Sequence, residues 1–302
     1  MDRLTLLDRF LEENGIAFSA EVPMKKYTTF RIGGNCRRMV WPSSAEKIRR
    51  VMAFCRKGGI PLYLMGNGSN LLVADEGVDG AVLQLGGSFS SIVLEGDSGL
   101  LCEAGATLAQ ACVFARDQGL AGLEFAYGIP GSVGGAAYMN AGAYGGEMKD
   151  VILWCEAVDR GGNIRRFSGE ELAFSYRHSV FTGRDDCITR VCFGLRPGNR
   201  EEIGAAMDDY MNRRRTKQPL EFPSAGSAFK RPEGGYASAL IDQCGLKGFA
   251  CGGAKVSEKH AGFIINWKEA TCGDVLALID EVSRQVKEKT GFVLEPEVKM
   301  LP

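Results

Sequence analysis

Residues 128 to 146 read GIPGSVGGAAYMNAGAYGG, and seven of these nineteen residues are glycine. The whole chain of 302 residues contains 40 glycines. A local concentration of this kind indicates backbone that turns through positive φ, or that lets another group approach where a Cβ would intrude. A flexible linker is the alternative, but linkers are polar and featureless, whereas this stretch carries Ile129, Val133 and Tyr138. The stretch therefore predicts a binding loop against which a flat or charged ligand lies.

A second glycine-rich segment, GNGSN at residues 66–70, lies between the apolar runs 61–65 and 71–73. The pattern predicts a loop between two strands. Its free amides, with the Ser and Asn side chains among them, would form a concavity suited to a pyrophosphate. An ordinary hairpin turn is the alternative interpretation, and the segment by itself does not decide between the two.

Outside these loops, the hydrophobic periodicity predicts short helices and strands in loose alternation, as in an α+β protein. The predicted helices cover residues 4–13, 43–58, 107–118, 200–215, 237–244 and 271–290, the second of them beginning with a capping box formed by Ser43 and Glu46. The predicted strands cover residues 27–34, 61–65, 71–73, 81–85, 91–94, 100–104, 151–158, 187–195, 261–266 and 292–300. Pro197-Gly198-Asn199 breaks the pattern, and we place a domain boundary there.

The composition excludes several classes of partner. The chain is 45% apolar and 24% charged, which is ordinary for a globular protein, and it is long enough for two domains. Its 36 basic and 37 acidic residues give a net charge of −1, so no global field would gather nucleic acid or a membrane surface. The first residues alternate charges with apolar positions, unlike a signal peptide, and no stretch approaches a membrane span. We therefore expect a cytoplasmic protein with small-molecule partners.

Several well-known catalytic motifs do not occur in the sequence. It contains neither G-x-x-x-x-G-K-[ST] nor G-x-G-x-x-G, which disfavours a P-loop or Rossmann site. It contains only two histidines and neither H-E-x-x-H nor G-x-S-x-G, so zinc-dependent and elbow-serine hydrolysis are not expected. The ten cysteines include no C-x-x-C pair and lie mostly in apolar runs. We therefore expect reduced core thiols, with no disulfide and no bound metal.

Six motifs of the chain resemble the UDP-N-acetylenolpyruvoylglucosamine reductases, the MurB family. They are GNGSNLL from residue 66, GIPGSVGGA from residue 128, NAGAYG from residue 140, YRHS from residue 176, GSAFK from residue 226 and EPEV from residue 295. The resemblance covers nearly the whole chain after residue 20 and includes the order and spacing of the motifs. It implies an enzyme of peptidoglycan precursor synthesis. The compact length is similar to the shorter type II subclass, which lacks an inserted loop over the substrate.

The resemblance also implies a fold. Members of the family are α+β proteins that combine an FAD-binding domain with a C-terminal α+β substrate-binding domain. The FAD-binding domain is of the vanillyl-alcohol oxidase or p-cresol methylhydroxylase type and is built from two subdomains. On this chain, the implied division is a helical N-terminal arm at residues 1–20, the FAD-binding domain at 21–198 and the substrate-binding domain at 199–302.

Carried over position by position, the resemblance places three catalytic residues at Arg177, Ser227 and Glu297. In the implied reaction, NADPH reduces bound FAD, and a hydride then passes to the β-carbon of the enolpyruvyl ether of UDP-N-acetylglucosamine, giving UDP-N-acetylmuramate. Negative charge develops on the α-carbon and its carboxylate, where Arg177 and Glu297 fit the role of stabilising groups, each worth about 10²–10³ in rate. Ser227 fits the role of proton donor to the α-carbon, worth about 10²–10⁴ in rate.

The resemblance gives the two glycine-rich loops a shared purpose, which is to hold FAD. The implied cofactor-binding residues are Ile32, Gly33, Gly66, Asn67, Gly68, Ser69, Asn70, Leu71, Gly128, Gly131, Ser132, Val133, Gly134 and Gly135. No histidine lies in or near either loop, so we expect noncovalent FAD. Tyr176 is implied to hydrogen-bond the substrate and Lys230 to contact a diphosphate oxygen. We also expect a monomer.

Two other functions stay open at this point. The first is an oxidase of the same flavin fold that uses molecular oxygen, which would need neither Ser227 nor a substrate domain shaped for UDP. The second is a non-catalytic flavin-binding or nucleotide-binding regulator, which would keep the pocket without turnover. The joint presence of Arg177, Ser227 and Glu297 argues against both.

Overall fold

The helices of the chain follow the predicted pattern, with one addition. A computed structural model describes residues 2–302. Within these residues the α-helices are α1 Arg3–Glu13, α2 Ala45–Lys57, α3 Leu108–Asp117, α4 Val133–Met139, α5 Arg200–Lys217, α6 Ala237–Gln243 and α7 Cys272–Thr290. Short 3-10 helices cover Met24–Lys26, Glu124–Ala126, Met148–Asp150 and Gly169–Leu172. Helix α4 was not expected, because it lies inside the stretch that the sequence indicated to be a loop.

The strands are short and connect frequently through turns. They are β1 Ala17–Pro23, β2 Asn35–Trp41, β3 Leu62–Met65, β4 Leu71–Val73, β5 Val78–Gln84, β6 Ile92–Glu95, β7 Gly99–Glu103, β8 Leu120–Ala121, β9 Gly142–Ala143, β10 Gly146–Glu147, β11 Ile152–Val158, β12 Ile164–Ser168, β13 Cys187–Gly194, β14 Arg196–Pro197, β15 Ser224–Ser227, β16 Ala250–Cys251, β17 Ala254–Val256, β18 Phe263–Asn266 and β19 Lys299–Leu301. The mixture of helices and strands confirms the expected α+β class.

The chain packs into two compact units, each made of several segments. Unit 1 comprises the residues up to Ala20, then Arg38–Asn67 and Gly80–Asn212. Unit 2 comprises Glu21–Arg37, Gly68–Asp79 and Arg213–Pro302. This division differs from a single cut at residues 198 and 199, because two N-terminal segments belong to unit 2. The three-domain assignment therefore stays a prediction.

Unit 1 contains the larger sheets and one apolar core. A four-stranded sheet has the order β1-β2-β5-β3, and β3 runs parallel to β5 with Leu62 opposite Ala81. A five-stranded antiparallel sheet has the order β12-β11-β13-β7-β6. The core of the unit is formed by residues of these sheets and of helices α1 to α5, and it includes Leu83, Leu100 and Phe193. Burial of such side chains contributes about 1.5–3 kcal/mol each to stability.

Unit 2 has its own core and its own sheets. A four-stranded antiparallel sheet has the order β15-β18-β17-β16, and β19 runs parallel to β4. Helix α7 buries Val275, Leu278, Ile279, Val282 and Val286 in the core, together with Leu72 and Ile264 from the strands. The expected start of this helix is confirmed, because the Thr271 hydroxyl accepts the amide of Asp274 in a capping box. Gly291 ends it in the left-handed region, at φ +78°.

Three local predictions were wrong. Residues 27–34 are not a strand, because Arg31 and Gly33 have positive φ values of +56° and +116° and turn the chain. The strand expected at 292–300 is reduced to β19, since the residues before it form only an isolated bridge between Phe229 and Pro296. The cap of helix α2 is Ser44 rather than Ser43, because the Ser44 hydroxyl accepts the amide of Lys47.

Candidate functional site

In unit 1, the two glycine-rich segments meet at Gly66 and Ser132. A Cβ at Gly66 would overlap the Ser132 hydroxyl, so the close approach requires glycine. The side-chain amide of Asn67 also donates to the carbonyl oxygen of Pro130 at 3.4 Å. Helix α4 begins directly after Ser132, whose hydroxyl accepts the amide of Gly135 at 3.2 Å. A Cβ at Gly134 would lie 2.7 Å from the Ala104 Cβ, so the helix is packed tightly at this end.

The remainder of the first loop lies in unit 2 and is also closely packed. Gly68 has φ +62°, and a Cβ there would overlap the carbonyl oxygen of Tyr27. The Thr28 hydroxyl beside it is buried and has no hydrogen-bond partner among residues 2–302. A buried hydroxyl without a partner is an opening for a polar group of a ligand. Gly33 approaches Val73 so closely that a Cβ would overlap that side chain.

The loop at residues 66–70 is not a hairpin turn. Strand β3 before it pairs with β5, and strand β4 after it pairs with β19, so the two flanking strands lie in different sheets. The hairpin alternative is therefore excluded. Within unit 2, the glycine backbone at Gly68, with the Thr28 hydroxyl that has no partner, fits a polar group of a large cofactor such as FAD. The Ile32 side chain is buried in the core of unit 2, so only its backbone can serve a cofactor.

Arg177 lies in a tight turn of unit 1. The amide of each of Ser175 and His178 donates to the carbonyl oxygen of the other at 3.1 Å, so Tyr176 and Arg177 occupy the turn between them. Arg177 has φ +54°, a left-handed conformation that costs a non-glycine residue about 1–2 kcal/mol. Its guanidinium carbon lies 5.0 Å from the centre of the Tyr176 ring, which is 43% exposed. Backbone strain of this kind is concentrated at functional sites.

A buried polar network adjoins this turn. Asn140, which is fully buried and left-handed at φ +42°, donates to the carbonyl oxygen of Ser175 at 2.9 Å and to the Glu147 carboxylate at 3.1 Å. Its side-chain oxygen accepts the amide of Lys149 at 2.9 Å. The Lys149 ammonium, the Asn140 amide and the charge of Arg177 together lower the pKa of Glu147. Glu147 is therefore a carboxylate at neutral pH, and it forms an ion pair of 2.8 Å with the Lys149 ammonium.

Ser227 and Glu297 lie on neighbouring segments of unit 2. Strand β15 has an irregularity between Ser224 and Ser227, and Gly226 within it has φ +79°. Bulges of this kind re-aim the next side chain, and Ser227 is exposed. The residue after it, Ala228, accepts the amide of Glu297 at 2.8 Å. The structure thus brings two of the three expected catalytic residues together within this unit.

Lys230 continues the same segment. Its amide donates to the carbonyl oxygen of Glu295 at 2.8 Å, and its ammonium lies 3.0 Å from the Glu295 carboxylate. Both side chains are partly exposed, at 37% and 68%. An exposed pair of this kind contributes about 0–1 kcal/mol, so an anionic ligand can compete for the lysine.

Sequence reasoning missed four residues that shape these sites. Thr28, which lies inside the run 27–34 expected to be a strand, was not singled out, and neither was Glu147, which directly follows the glycine-rich stretch 128–146. Asn140 and Ser179 were named only as parts of the family motifs, and both are fully buried polar residues in the structure. A polar side chain that the sequence places among apolar or glycine residues, as with Asn140 in YMNAG, is the signal that could have pointed to them.

Comparison with known proteins identifies the family of the chain. Residues 36–168 match the model of an FAD binding domain. With the glycine-lined loops, this match defines the chain as an FAD-binding protein of α+β fold. Residues 218–301 match the model described as UDP-N-acetylenolpyruvoylglucosamine reductase, C-terminal domain.

Similar proteins extend the match to the whole chain. The UDP-N-acetylenolpyruvoylglucosamine reductases of Caldanaerobacter subterraneus and Syntrophomonas wolfei are each 47% identical over 92% of this chain, and the matches cover 92% and 93% of those proteins. The crystal structure of UDP-N-acetylenolpyruvylglucosamine reductase (MurB) from Thermus caldophilus is 36% identical, covers 95% of this chain and 99% of its own, and has a TM-score of 0.79. The chain therefore belongs to the UDP-N-acetylenolpyruvoylglucosamine reductase family. This assignment confirms the resemblance found in the sequence, including its fold.

Within residues 2–302, no helix is long and apolar enough to cross a membrane. No group of three or more His, Cys, Asp or Glu side chains in that range could hold a metal ion.

Proposed function

We propose that the chain reduces UDP-N-acetylglucosamine enolpyruvate to UDP-N-acetylmuramate with electrons from NADPH, using Arg177, Ser227 and Glu297. Family membership supports the overall reaction. The observation that supports these residues most directly is the backbone pairing that joins Glu297 to Ala228, next to Ser227. A proton donor and a second polar group on paired segments can act on the same small region of a ligand.

Each proposed residue has a separate task. When bound, FAD supplies a hydride to the β-carbon of the enolpyruvyl ether after NADPH has reduced it. Arg177 holds a fixed positive charge in a constrained turn and stabilises negative charge on the substrate carboxylate, and Glu297 acts on the same carboxylate from the segment that pairs with Ala228. A single donor of this kind is worth about 10²–10³ in rate.

Ser227 completes the reaction by donating a proton to the α-carbon. A hydroxyl is a weak acid, but the acceptor is strongly basic because the new negative charge is shared with that carbon. The bulge at Gly226 leaves this hydroxyl at the surface of the unit, where a ligand can reach it. The resulting alkoxide regains its proton from water.

We propose that Gly66, Asn67 and Gly131 to Gly135 of unit 1 hold the cofactor, with Gly68 to Leu71 of unit 2. The close approach of Gly66 to Ser132 and the orphaned Thr28 hydroxyl support this assignment. Neither loop contains a histidine or a cysteine, so the cofactor is bound noncovalently. Tyr176 is proposed to hydrogen-bond the substrate. Lys230 would exchange its exposed partner Glu295 for a diphosphate oxygen.

An anaerobic visible spectrum tests the proposal directly. The purified protein, loaded with FAD, is expected to lose its yellow colour with one equivalent of NADPH. Addition of UDP-N-acetylglucosamine enolpyruvate is expected to restore the colour in the absence of oxygen. Restoration by air alone would identify an oxidase, and a protein that cannot be loaded with FAD would contradict the cofactor assignment.

We propose also that the chain is a monomer in the cytoplasm. The location is supported by the net charge of −1, which gives no field that would hold the chain on a membrane surface. Light scattering during size-exclusion chromatography measures the first point, where a mass near 32.6 kDa is expected. A mass of twice that value would contradict it.

A further inference from the structure

The turn that carries Arg177 is fastened on both sides to the end of helix α4. On one side, the Asn140 amide donates to the carbonyl oxygen of Ser175 at 2.9 Å. On the other side, the Ser179 hydroxyl donates to the carbonyl oxygen of Tyr138 at 2.7 Å. Asn140 and Ser179 are both fully buried, so water does not replace either side chain as a hydrogen-bond partner.

Asn140 is constrained in its backbone as well as in its side chain. It ends helix α4 in the left-handed region, at φ +42° and ψ +55°, where asparagine is tolerated better than most residues. Both hydrogens of its amide are donated and its oxygen accepts an amide, so its three bonds fix one orientation. Loss of the side chain would leave the Ser175 carbonyl and the Lys149 amide without these partners.

Helix α4 connects this network to the proposed flavin loop. It begins beside Ser132, which contacts Gly66, and it ends at Asn140. Its seven residues span about 10 Å, and Val133, Gly134, Ala136 and Ala137 are buried. The helix is short and packs closely against Ala104, so it keeps Ser132 and Asn140 at a constant separation.

We propose that Asn140 and Ser179 are positioning residues that hold Arg177 at a set distance from the flavin loop. The inference rests on the proposed role of Arg177 in stabilising the substrate carboxylate. Glu147 supports this arrangement, because it accepts from the Asn140 amide and is itself paired with the Lys149 ammonium at 2.8 Å. A left-handed arginine needs such support, since its preferred conformations lie elsewhere.

The test separates the two half-reactions of the holoenzyme. The variant N140G keeps the left-handed backbone, which glycine adopts at no steric cost, and removes only the side chain. S179A removes the second bond, and R177A removes the group being positioned. In stopped flow, enzyme reduced with dithionite is mixed anaerobically with saturating UDP-N-acetylglucosamine enolpyruvate. Since a displacement of about 1 Å can cost about 10²-fold in rate, we expect flavin reoxidation to slow by about 10- to 100-fold in N140G and about 10-fold in S179A.

The double variants show whether these residues act through Arg177. In the R177A background, N140G and S179A are expected to slow reoxidation by less than about 2-fold, because the positioned group is already gone. Equal slowing in both backgrounds would overturn the inference while leaving Arg177 as a catalytic residue. Unchanged reoxidation in R177A would instead contradict the proposed role of Arg177 itself.

Folding is monitored through FAD content and thermal melting. If either N140G or S179A is recovered without flavin, the other variant is used to compare reoxidation in the parent and R177A backgrounds. Loss of flavin from both would show a role in folding alone and would overturn the inference. S90A is the matched control, because the Ser90 hydroxyl also donates to a backbone carbonyl, that of Gly87, in the loop after strand β5. Its reoxidation rate is expected to equal that of the parent enzyme.

Discussion

The side-chain amide of Asn70 donates a hydrogen bond of 3.2 Å to the backbone carbonyl oxygen of Glu297. The carbonyl oxygen of Asn70 accepts the amide of Lys299 at 2.9 Å, and strands β4 and β19 continue this pairing with Leu71 opposite Lys299. Glu297 is therefore held on both sides, by Asn70 and by Ala228. The proposed pyrophosphate loop thus also fixes a proposed catalytic carboxyl within the same unit.

Replacement of Asn70 by alanine tests this link. We expect N70A, saturated with FAD, to reoxidise about 10-fold more slowly with the enolpyruvyl substrate, because the Glu297 carbonyl loses its hydrogen bond from the Asn70 amide. Stopped-flow absorbance of the reduced enzyme measures the rate. N199A is the control, since Asn199 accepts amides at the start of helix α5 and its loss should reduce stability by about 1 kcal/mol without slowing reoxidation. An N70A rate equal to that of the parent would refute the link.

Gly66 is predicted to be indispensable for FAD binding. In G66A the new methyl group would overlap the Ser132 hydroxyl, so either that hydroxyl rotates and loses its bond to the Gly135 amide or the two loops move apart. We expect FAD affinity to fall by at least about 10-fold, measured by equilibrium dialysis of the apoprotein. G86A is the matched control, because a Cβ at Gly86 meets nothing within 4 Å.

The substitution S132A, added to G66A, tests whether overlap with the Ser132 hydroxyl causes the loss of FAD affinity. In the double variant G66A/S132A the hydroxyl is gone, and the Ser132 Cβ lies 3.2 Å from the position of the new methyl group. A small shift then relieves the contact, so FAD affinity is expected to recover in part. The single variant S132A is the reference, because it measures what loss of the hydroxyl does by itself. If G66A lowers FAD affinity as much in the S132A background as in the parent, overlap with the Ser132 hydroxyl is not the reason for the loss.

Long periodic elements were predictable from the sequence, whereas short ones were not. Helix α7 was expected to its exact caps because Thr271, Asp274 and Gly291 are local signals that no tertiary contact opposes. Helix α4 was missed because Gly134 and Gly135 have low helix propensity. The packing of Gly134 against Ala104 stabilises the helix despite this low propensity. The sequence alone does not predict that contact.

The candidate site was likewise predictable from the sequence only in part. Arg177, Ser227 and Glu297 could be named in advance because they stand in motifs of fixed spacing. That Ala228 pairs with Glu297, or that Asn140 bonds to Ser175, could not be foreseen, since these partners lie 35 to 69 residues apart in sequence and meet only after folding. The strand expected across residues 292–300 failed for a related reason, because irregular pairing with residues 228–230 overrides its apolar pattern.

Ser227 is expected to act in only one half-reaction. S227A should be reduced by NADPH at nearly the parental rate, because no proton from this hydroxyl is needed there. Its reoxidation by the enolpyruvyl substrate should slow by about 10²–10⁴-fold, the usual contribution of a general acid. Stopped-flow absorbance of the flavin measures both rates. Equal slowing of the two half-reactions would contradict the assignment of Ser227 as proton donor.

The ten cysteines are predicted to be almost inert towards thiol reagents in the native protein. Nine are buried, and only Cys251 is partly exposed. Burial raises the pKa of Cys55 and Cys102 to about 12, so at pH 8 only about one molecule in 10⁴ carries the reactive thiolate at either position. With Ellman's reagent at pH 8 we expect at most one thiol to react rapidly, and C251S should abolish that phase. All ten should react in denaturant, where the pKa values return to ordinary ones, while two or more rapid thiols in the native protein would contradict the packing described for the core.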